Sequence, residues 1–333
     1  MNHKRSSLLK IAAIIVVILA VISAAIMLSH PARTHLAYVT NYFNGTVSVI
    51  NPSTGKVINT IAVGEYPMEV AFNPRGTLAY VTNNYNGTVS VIDTATSKVV
   101  STIAVGLLPI GVAFDPKGTF AYVTNSGSFE DTGTVSVINT ASSAVVDTIA
   151  VGSSPIGVAF NPQGTLAYVT NNYNGTVRVI NTSTRTVINI IKLGGYPTGV
   201  AFNPQGNLAY VTNNYNGADT VSVINTSTST VINTIEVGTY PFGVAFNPQG
   251  TLAYVVNNDY YNGTVSVINT TTSTVINTIR VGGPIGVAFN PQGTLAYVTD
   301  EGNDTVSVIN TSTSKVVSTI VVGHLPYGVA FQP

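Results

Sequence analysis

Few side chains in this sequence have the chemistry of a reactive centre. The 333 residues include four histidines and no cysteine, which excludes thiolate nucleophiles, disulfides and cysteine-ligated metal sites. Only His35 and His324 lie beyond residue 30. They could form a metal-binding pair, although no third ligand is apparent, or serve as one strand residue and one loop residue. No nucleophile-elbow, phosphate-loop or zinc-protease motif occurs, so we predict no catalytic residue.

Acidic residues cluster at two places, Glu130-Asp131 and the run Asp300, Glu301, Gly302, Asn303, Asp304. Carboxylate oxygens are ligands that calcium prefers, but neither spacing matches the EF-hand loop. The alternative interpretation is that both clusters are solvated loops. We therefore predict no bound cofactor and no metal.

The elements that must position any site come from a repeat. The motif Ala-Tyr-Val-Thr-Asn recurs with small changes at intervals of 42 to 46 residues. Its tyrosines are Tyr38, Tyr80, Tyr122, Tyr168, Tyr210, Tyr254 and Tyr297. Each unit holds four short runs rich in Val, Ile, Thr, Tyr and Phe, such as 158–160, 166–170, 176–180 and 187–193. This composition is typical of β-strands.

Turn signals separate the runs. Asn-Pro-Gln-Gly at 161–164 predicts a turn in which proline sets φ and glycine takes a positive φ. Asn-Gly at 174–175 predicts a type I′ hairpin, and Asn-Thr-Ser-Thr at 181–184 a third tight connection. No run has a helical period. Four antiparallel strands in about 40 residues are typical of a propeller blade.

The chain ends predict how the ring closes. The repeats start at the second strand of a unit, near residue 35, and stop at the first strand of a unit, near Phe331. Together the two ends make one complete blade. We therefore predict an all-β, seven-bladed propeller of four-stranded antiparallel blades, in which Gly328–Phe331 is the inner strand of a composite blade and its other strands lie within 35–64. Closure leaves no strand edge at the ends of the ring.

The Tyr-Val-Thr-Asn tetrads resemble the YVTN β-propeller repeat family, which is seen in archaeal and bacterial surface-layer and cell-surface proteins. Two tetrads depart from the pattern, at Tyr254-Val-Val-Asn257 and Tyr297-Val-Thr-Asp300. The resemblance covers residues 35–333 and implies a propeller outside the cell. It implies no chemistry, since more distant propeller relatives include lactonases, lyases and quinoproteins.

One carboxylate interrupts a repeated glycine. Glu69 takes the position that six other units give to Gly111, Gly157, Gly199, Gly243, Gly286 and Gly328. This position is near the start of the inner strand, which lines the central channel. Glu69 could be a ligand or acid–base group there, or a solvated channel side chain. The residues that follow each inner-strand proline are mostly apolar, namely Met68, Ile110, Ile156, Thr198, Phe242, Ile285 and Tyr327. An apolar ring disfavours a metal-dependent hydrolase.

The loops of one face are rich in tyrosine. The loops between the second and third strands and those between blades share this face, which we call the top face. Besides Tyr42, Phe43 and Phe129, the predicted ligand-binding residues there, taken with Glu69, are Tyr66, Tyr85, Tyr173, Tyr196, Tyr215, Tyr240, Tyr260, Tyr261 and His324. Tyrosine supplies contact area with a polar tip at low entropic cost. These rings form a surface for a protein or glycan partner or, alternatively, pack between loops.

Nine Asn-x-Ser/Thr sequons are candidate glycosylation sites in an exported protein. They are Asn44, Asn86, Asn174, Asn181, Asn225, Asn262, Asn269, Asn303 and Asn310. Tight turns select the same residue types, so the repeat itself accounts for much of their number.

The N-terminus is a separate region. Residues 11–28 form an apolar run broken only by Ser23 and preceded by Lys4, Arg5 and Lys10. At 1.5 Å per residue the run spans about 27 Å, close to the thickness of a bilayer core. The basic flank predicts an uncleaved anchor with the remainder outside the cell; the alternative is a long signal cleaved near Ser23-Ala24-Ala25. Residues 1–33 are thus assigned to flank, transmembrane helix and linker, and residues 34–333 to the propeller.

Charge and fold bound the function. Only 8% of the residues are charged, and without the basic flank the remainder has a net charge of about −3, so a nucleic-acid partner is not expected. The leading prediction is a non-enzymatic, membrane-anchored cell-surface or envelope module whose top face binds a partner. The alternative is an extracytoplasmic enzyme, lactonase- or lyase-like, with a site at the central channel.

Overall fold

The computed structural model describes residues 35–127, 133–214, 219–259 and 262–333. The chain divides into two compact units, Met1–Thr34 and His35–Pro333. The second unit is the propeller. The predicted membrane anchor at 11–28 lies outside the described residues. Across the described ranges, no helix is long and apolar enough to cross a bilayer.

Seven four-stranded antiparallel sheets form the blades of a closed ring. We number the strands along the chain and give each blade four positions, a to d, from the central channel outward. The a strands are β4 (Pro67–Phe72), β8 (Pro109–Phe114), β12 (Pro155–Phe160), β16 (Tyr196–Phe202), β20 (Pro241–Phe246), β24 (Pro284–Phe289) and β28 (Pro326–Phe331). The b strands are β1 (Ala37–Asn41), β5 (Leu78–Asn83), β9 (Phe120–Asn125), β13 (Leu166–Asn171), β17 (Leu208–Asn214), β21 (Leu252–Asn257) and β25 (Leu295–Asp300).

The outer half of each blade completes the sheet. The c strands are β2 (Thr46–Asn51), β6 (Thr88–Asp93), β10 (Gly133–Asn139), β14 (Thr176–Asn181), β18 (Thr220–Asn225), β22 (Thr264–Asn269) and β26 (Thr305–Asn310). The d strands are β3 (Lys56–Ala62), β7 (Lys98–Ala104), β11 (Ala144–Gly152), β15 (Thr186–Lys192), β19 (Thr230–Glu236), β23 (Thr274–Arg280) and β27 (Lys315–Val321). A short 3-10 turn, Glu301–Asn303, follows β25.

The composite blade is confirmed. Its strand order is β28-β1-β2-β3, and β28 pairs with β1 in a register that sets Ala330 opposite Tyr38 and Val329 opposite Val39. The two ends of the described propeller therefore share one sheet. We call this blade 1 and number the others along the chain.

The a strands begin earlier than the sequence predicts. In blade 4, β12 starts at Pro155, which pairs with Asn171, and the register shifts before Val158. Proline is tolerated as the first residue of a strand. The shift is a bulge that leaves Gly157 between the paired residues, and it recurs in the other blades.

The tetrad tyrosine joins neighbouring blades. Each one is buried and meets, edge to face, the phenylalanine that ends the next a strand, with ring centroids 4.6–4.8 Å apart. Such pairs contribute about 0.5–1.5 kcal/mol beyond their buried area. The pair Tyr297–Phe331 links blade 7 to blade 1, so the C-terminal strand takes part in the contact between the last blade and the first.

The tetrad threonine ties the inner ring together. In blade 3, Thr124 Oγ1 accepts a hydrogen bond from Gly111 N at 2.8 Å and donates one to Ile156 O of blade 4 at 2.7 Å. Five other blades repeat this clamp. Val256 replaces the threonine in blade 6, so the hydroxyl is missing there.

The turns of the two faces differ. Opposite the top face, on what we call the bottom face, Gly164 N donates to Asn161 O and Gly164 has a φ of +68°, as the Asn-Pro-Gln-Gly signal predicts. The type I′ prediction for Asn-Gly on the top face is wrong. Gly175 has a positive φ, but Asn174 does not, because the connection spans 172–175 instead of two residues.

Candidate functional site

The two faces of the propeller carry opposite charge. Among the described residues, acidic side chains outnumber basic ones in the top half of the ring, and the reverse holds in the bottom half. The top half contains Glu65, Glu69, Asp219, Glu236, Asp259, Asp300, Glu301 and Asp304, against Arg178, Lys192 and Arg280. The bottom half contains Lys56, Arg75, Lys98, Lys117, Arg185 and Lys315, against Asp93, Asp115 and Asp147. The top face therefore attracts cations.

Five rings of the top face form a connected cluster, which we call the aromatic patch: Tyr42, Phe43, Tyr66, Tyr85 and His324. Tyr42 stacks on Tyr66 with centroids 4.7 Å apart, and Tyr85 meets Tyr66 edge-on at 5.7 Å. Phe43 contacts Tyr66 at 6.4 Å and His324 at 5.3 Å. Phe43 is 61% exposed and Tyr85 67%, so the patch faces solvent.

Loop-to-loop hydrogen bonds hold the patch. Tyr42 N donates to Leu325 O at 2.9 Å, and Asn44 Oδ1 accepts from the backbone N–H of His324. In the next blade, Asn86 Oδ1 accepts from Glu65 N at 2.5 Å. Asn44 and Asn86 are the sequon asparagines of these loops, so they act here as structural ties.

Tyr66 has a left-handed backbone, with a φ of +54° immediately before Pro67. Such a φ is uncommon in a tyrosine. Leu108, Ser154, Tyr240 and Leu325 share it at equivalent positions. The conformation is therefore a property of the blade-to-blade loop and is not special to the patch.

His324 pairs with an acid at the edge of the patch. Its Nδ1 lies 2.9 Å from Asp304 Oδ1, and both side chains are about half exposed. Leu325 N donates to the same carboxylate at 2.9 Å, and this bond, together with His324, lowers the pKa of Asp304. Exposed pairs of this kind contribute little to stability.

The candidate metal ligands considered in the sequence do not come together where the structure describes them. His35 Nδ1 lies 3.1 Å from Gln332 O on the bottom face, so it is at the opposite end of the ring from His324. Asp300 is buried, which raises its pKa, and accepts a hydrogen bond from Ser307 Oγ at 2.5 Å. Glu130 and Asp131 lie outside the described residues. No group of three potential ligands from His, Cys, Asp and Glu occurs in the part of the chain that the structure describes.

Three other predicted tyrosines that the structure describes lie outside the patch. Tyr173, Tyr196 and Tyr240 are exposed on the top face of other blades, at 72%, 42% and 53%. Tyr215, Tyr260, Tyr261 and Phe129 lie outside the described residues. Among the described residues, the predicted tyrosine surface therefore includes one ring cluster near blades 1 and 2 and further exposed tyrosines in blades 4, 5 and 6.

The sequons lie on both faces. Asn44, Asn86, Asn174, Asn262 and Asn303 are exposed on the top face. The remaining four, Asn181, Asn225, Asn269 and Asn310, end c strands at the bottom face and cap the following turn, as Asn181 Oδ1 does for Ser183 N at 3.0 Å. Glycosylation at any of them stays a prediction.

The central channel contains a cavity of about 220 Å³. Its walls are backbone and apolar side chains from the a strands, including Ile110, Ile156 and Ile285. Glu69 is the sole charged side chain among the lining residues, and Thr198 and Tyr327 are the polar ones. The position of Glu69 in the channel agrees with the sequence-based prediction.

Glu69 is held by the inner ring. Its backbone N–H donates to Thr82 Oγ1 at 3.0 Å, and its Oε1 accepts from Val70 N at 3.2 Å. Burial raises the pKa of its carboxyl to about 7, against the weaker opposing effect of the Val70 bond. A Cβ built on Gly328 would lie 2.9 Å from Oε1, so the missing side chain of blade 1 provides the space for this carboxylate.

Tyr327 is a channel residue that was not among the predicted ligand-binding residues. Its ring meets Phe242 edge-on at 5.7 Å and lies 6.5 Å from Tyr42 of the patch. Burial, with a smaller contribution from the nearby charge of Glu69, raises the pKa of Tyr327. The signal was a tyrosine at a position where three of the other six units have isoleucine. The same ring therefore connects channel and patch.

A second depression lies on the bottom face between blades 3 and 4, with a volume of about 490 Å³. Its charged lining residues are Asp115 and Lys117. Asp115 Oδ1 already accepts from Phe120 N at 2.7 Å, and Arg185 lies over the Phe120 ring at 4.7 Å. These groups are already engaged in local contacts of the bottom-face turns. The central channel and the aromatic patch are therefore better candidate sites than this depression.

Comparisons with known proteins agree on the fold. The model of the YNCE-like beta-propeller family matches residues 5–332. No curated protein matches the chain. The narrower resemblance to YVTN-repeat surface-layer proteins stays a prediction.

Three similar solved structures are propellers with low sequence identity. Kuenenia stuttgartiensis hydrazine synthase is 21% identical, covering 79% of this chain and 88% of that chain, with a TM-score of 0.70. A functionally unknown protein from Desulfotomaculum acetoxidans DSM 771 is 19% identical, covering 89% and 98%, with a TM-score of 0.78. The dihydro-heme d1 dehydrogenase NirN, in complex with DHE, is 15% identical, covering 90% and 76%, with a TM-score of 0.65. Likeness at these identities shows the fold alone, whereas the family match spans nearly the whole sequence: the chain belongs to the YNCE-like beta-propeller family.

Proposed function

We propose that this chain is a non-enzymatic, membrane-anchored propeller that acts outside the cell and binds a protein or glycan partner through its top face. The observation that carries the proposal is the aromatic patch. Its exposed rings stand in contrast to the buried tetrad tyrosines, which pack between blades. Exposed aromatic clusters beside polar loops are typical of binding surfaces.

The sequence of the N-terminus supports the anchoring and the location. The apolar run at 11–28 follows Lys4, Arg5 and Lys10, the arrangement of an anchor whose basic flank stays inside. The described chain begins at the bottom face, where His35 contacts Gln332. His35, the first described residue, therefore lies on the face of the propeller opposite the aromatic patch. A role in the cell envelope, as the YVTN resemblance suggests, is part of the same proposal.

Tyr85 provides the sharpest test of the patch. We expect Tyr85→Ala and Phe43→Ala to abolish or strongly weaken binding to a hit found by a glycan array or by pull-down of cell-surface proteins. Tyr173→Ala is the matched control, because Tyr173 occupies the equivalent loop of blade 4 and is similarly exposed. Equal loss of binding in the Tyr173 variant, or no loss in the patch variants, would contradict the proposal.

A second candidate function is an enzyme acting at the channel. One observation favours it: burial gives Glu69 a pKa of about 7, which suits a general acid or base. Hydrolysis of a panel of lactones by the wild-type protein, lost in Glu69→Gln, would support this function. Equal rates in the two proteins would exclude Glu69 as the catalytic group.

A further inference from the structure

We propose that the central channel binds a small organic cation, an alkylammonium or quaternary ammonium group, against the carboxylate of Glu69. This site is distinct from the solvent-facing patch. It does not depend on whether the patch binds a macromolecule.

The first argument comes from the sevenfold repeat. At the six equivalent glycines, a Cβ would lie only 2.4–2.7 Å from a carbonyl oxygen of the next a strand. The ring thus selects against side chains at this level of the channel. The single exception is an acid whose carboxylate enters the cavity. Residues that break a local packing rule without a structural gain are expected at functional sites.

The second argument is the missing counter-charge. None of the residues that line the cavity is basic, and the ion pairs Arg185–Asp147 and His324–Asp304 lie elsewhere. Among the described residues, the carboxylate accepts a hydrogen bond from Val70 N at 3.2 Å and no other. A partly buried carboxylate with so few hydrogen-bond donors would be stabilised by an external cation.

The third argument is the chemistry of the walls. Tyr327 and Phe242 contribute aromatic rings to the cavity that contains Glu69, and such rings attract cations. Isoleucine and valine side chains suit the methyl or methylene groups of an organic ion. The cavity, at about 220 Å³, suits a small ligand.

Metal ions fit these walls less well. Calcium takes six to eight oxygen ligands, and magnesium a near-ideal octahedral set. The side chains of the cavity supply one carboxylate, one threonine hydroxyl and one tyrosine hydroxyl. The donor set therefore favours an organic cation.

Binding of this cation is expected to depend on pH, because only ionised Glu69 attracts it. Tyr327 on β28 is the other titratable lining residue, with Glu301 and Tyr42 acting on it from the top face. The pKa of Tyr327 is raised, so it stays neutral near pH 7. Since burial raises the pKa of Glu69 to about 7, affinity should rise by about tenfold or more between about pH 5.5 and about pH 8.

Calorimetric titration of the full-length protein in nonionic detergent tests the proposal. Sodium phosphate is the buffer, because Tris is itself an ammonium ion. The probes are tetramethylammonium and n-butylammonium chloride, with tert-butanol and n-pentanol as neutral counterparts and sodium chloride as the salt control. The variants are Glu69→Gln, Glu69→Gly, which restores the residue of the other six blades, and Glu65→Gln, which removes an exposed charge from the same face.

We expect at least one ammonium probe to bind the wild-type protein about tenfold or more tightly than its neutral counterpart. Both Glu69 variants should lose this preference while keeping a cooperative unfolding transition, and Glu65→Gln should retain it. Equal binding of alcohols and ammonium ions, unchanged affinity in Glu69→Gln, or no ammonium binding at millimolar concentration would each overturn the proposal. Loss of patch binding to a macromolecule would leave it untouched.

Discussion

On the bottom face, Gly76, Gly118, Gly164, Gly206, Gly250 and Gly293 close six equivalent turns with φ values between +66° and +75°. On the top face, equivalent loops differ in length and sequence, and rings of blades 1 and 2 form the aromatic patch. The same repeat therefore preserves one set of turns for architecture and varies the other. The difference indicates which substitutions should change stability alone and which should change binding.

Ring closure supports both faces, so its loss should have the largest effect. Deleting residues 324–333 removes β28, its pairing with β1 and the Tyr297–Phe331 contact. We expect the cooperative thermal transition to be lost or to fall by tens of degrees, because β1 and the neighbouring blades lose their inner partner. Differential scanning calorimetry measures this, and deletion of 332–333 alone is the control. A truncated protein with an unchanged transition would contradict ring closure by the composite blade.

Glu69 should lower the free energy of unfolding increasingly as the pH rises. Burial raises its folded-state pKa from 4.5 to about 7. Below about pH 4.5 the carboxyl is protonated in both the folded and the unfolded state, so Glu69→Gln should change little. Between about pH 4.5 and 7 the unfolded chain releases the proton first, and wild-type stability falls relative to the variant. The full difference, about 3 kcal/mol, is present above pH 7.

Urea unfolding at several pH values checks this prediction, with Glu65→Gln as the control. A stability difference that is independent of pH would show that Glu69 is solvated in the channel. Addition of an ammonium ligand should reduce the difference at pH 8, because the ligand stabilises the ionised folded state.

Substitutions at the threonine clamp should change the free energy of unfolding by a smaller amount. Removing the clamp should lower it, and adding the missing clamp should raise it. Thr124→Val leaves Gly111 N and Ile156 O without the hydroxyl that joins them, and we expect a loss of about 2 kcal/mol. Val256→Thr restores the clamp in blade 6 and should gain about 1 kcal/mol. Urea denaturation measures both. Destabilisation by the second substitution would mean that blade 6 is packed around its valine.

A bottom turn should give the smallest effect. Gly55 has a φ of +63°, and a Cβ there would meet no atom within 4 Å. Gly55→Ala should therefore cost about 1 kcal/mol through backbone strain alone. Ligand binding should be unchanged. An altered affinity in this variant would show that the two faces are coupled. It would contradict the claim that bottom-face turns affect stability alone.

The sequence predicted the architecture well because its signals are local and repeat seven times. Strand runs, the Asn-Pro-Gln-Gly turn and the split blade followed from spacing alone. The type I′ prediction for Asn174-Gly175 was wrong, because a two-residue signal does not determine loop length when the preceding residues also leave the sheet. The start of β12 at Pro155 was missed because a bulge hides the strand from an alternation pattern.

The site was predicted only in part. Glu69 stood out because the other six units have glycine at the equivalent position. Tyr42 and Phe43 were named as top-face rings, but their stacking with Tyr66 depends on how loops of different blades meet, which spacing does not encode. Tyr327 gained significance only when the closed ring brought it to the cavity beside Glu69.

The carboxyl resonance of Glu69 tests the central claim most directly. In protein labelled with 13C-glutamate, NMR titration reports the pKa of each carboxyl, and Glu69→Gln assigns the signal. The account predicts a titration near pH 7 without ligand and a displacement to lower pH when tetramethylammonium or n-butylammonium is added. A titration near 4.5 that neither ligand changes would contradict the proposal that the channel carboxylate is a buried cation site.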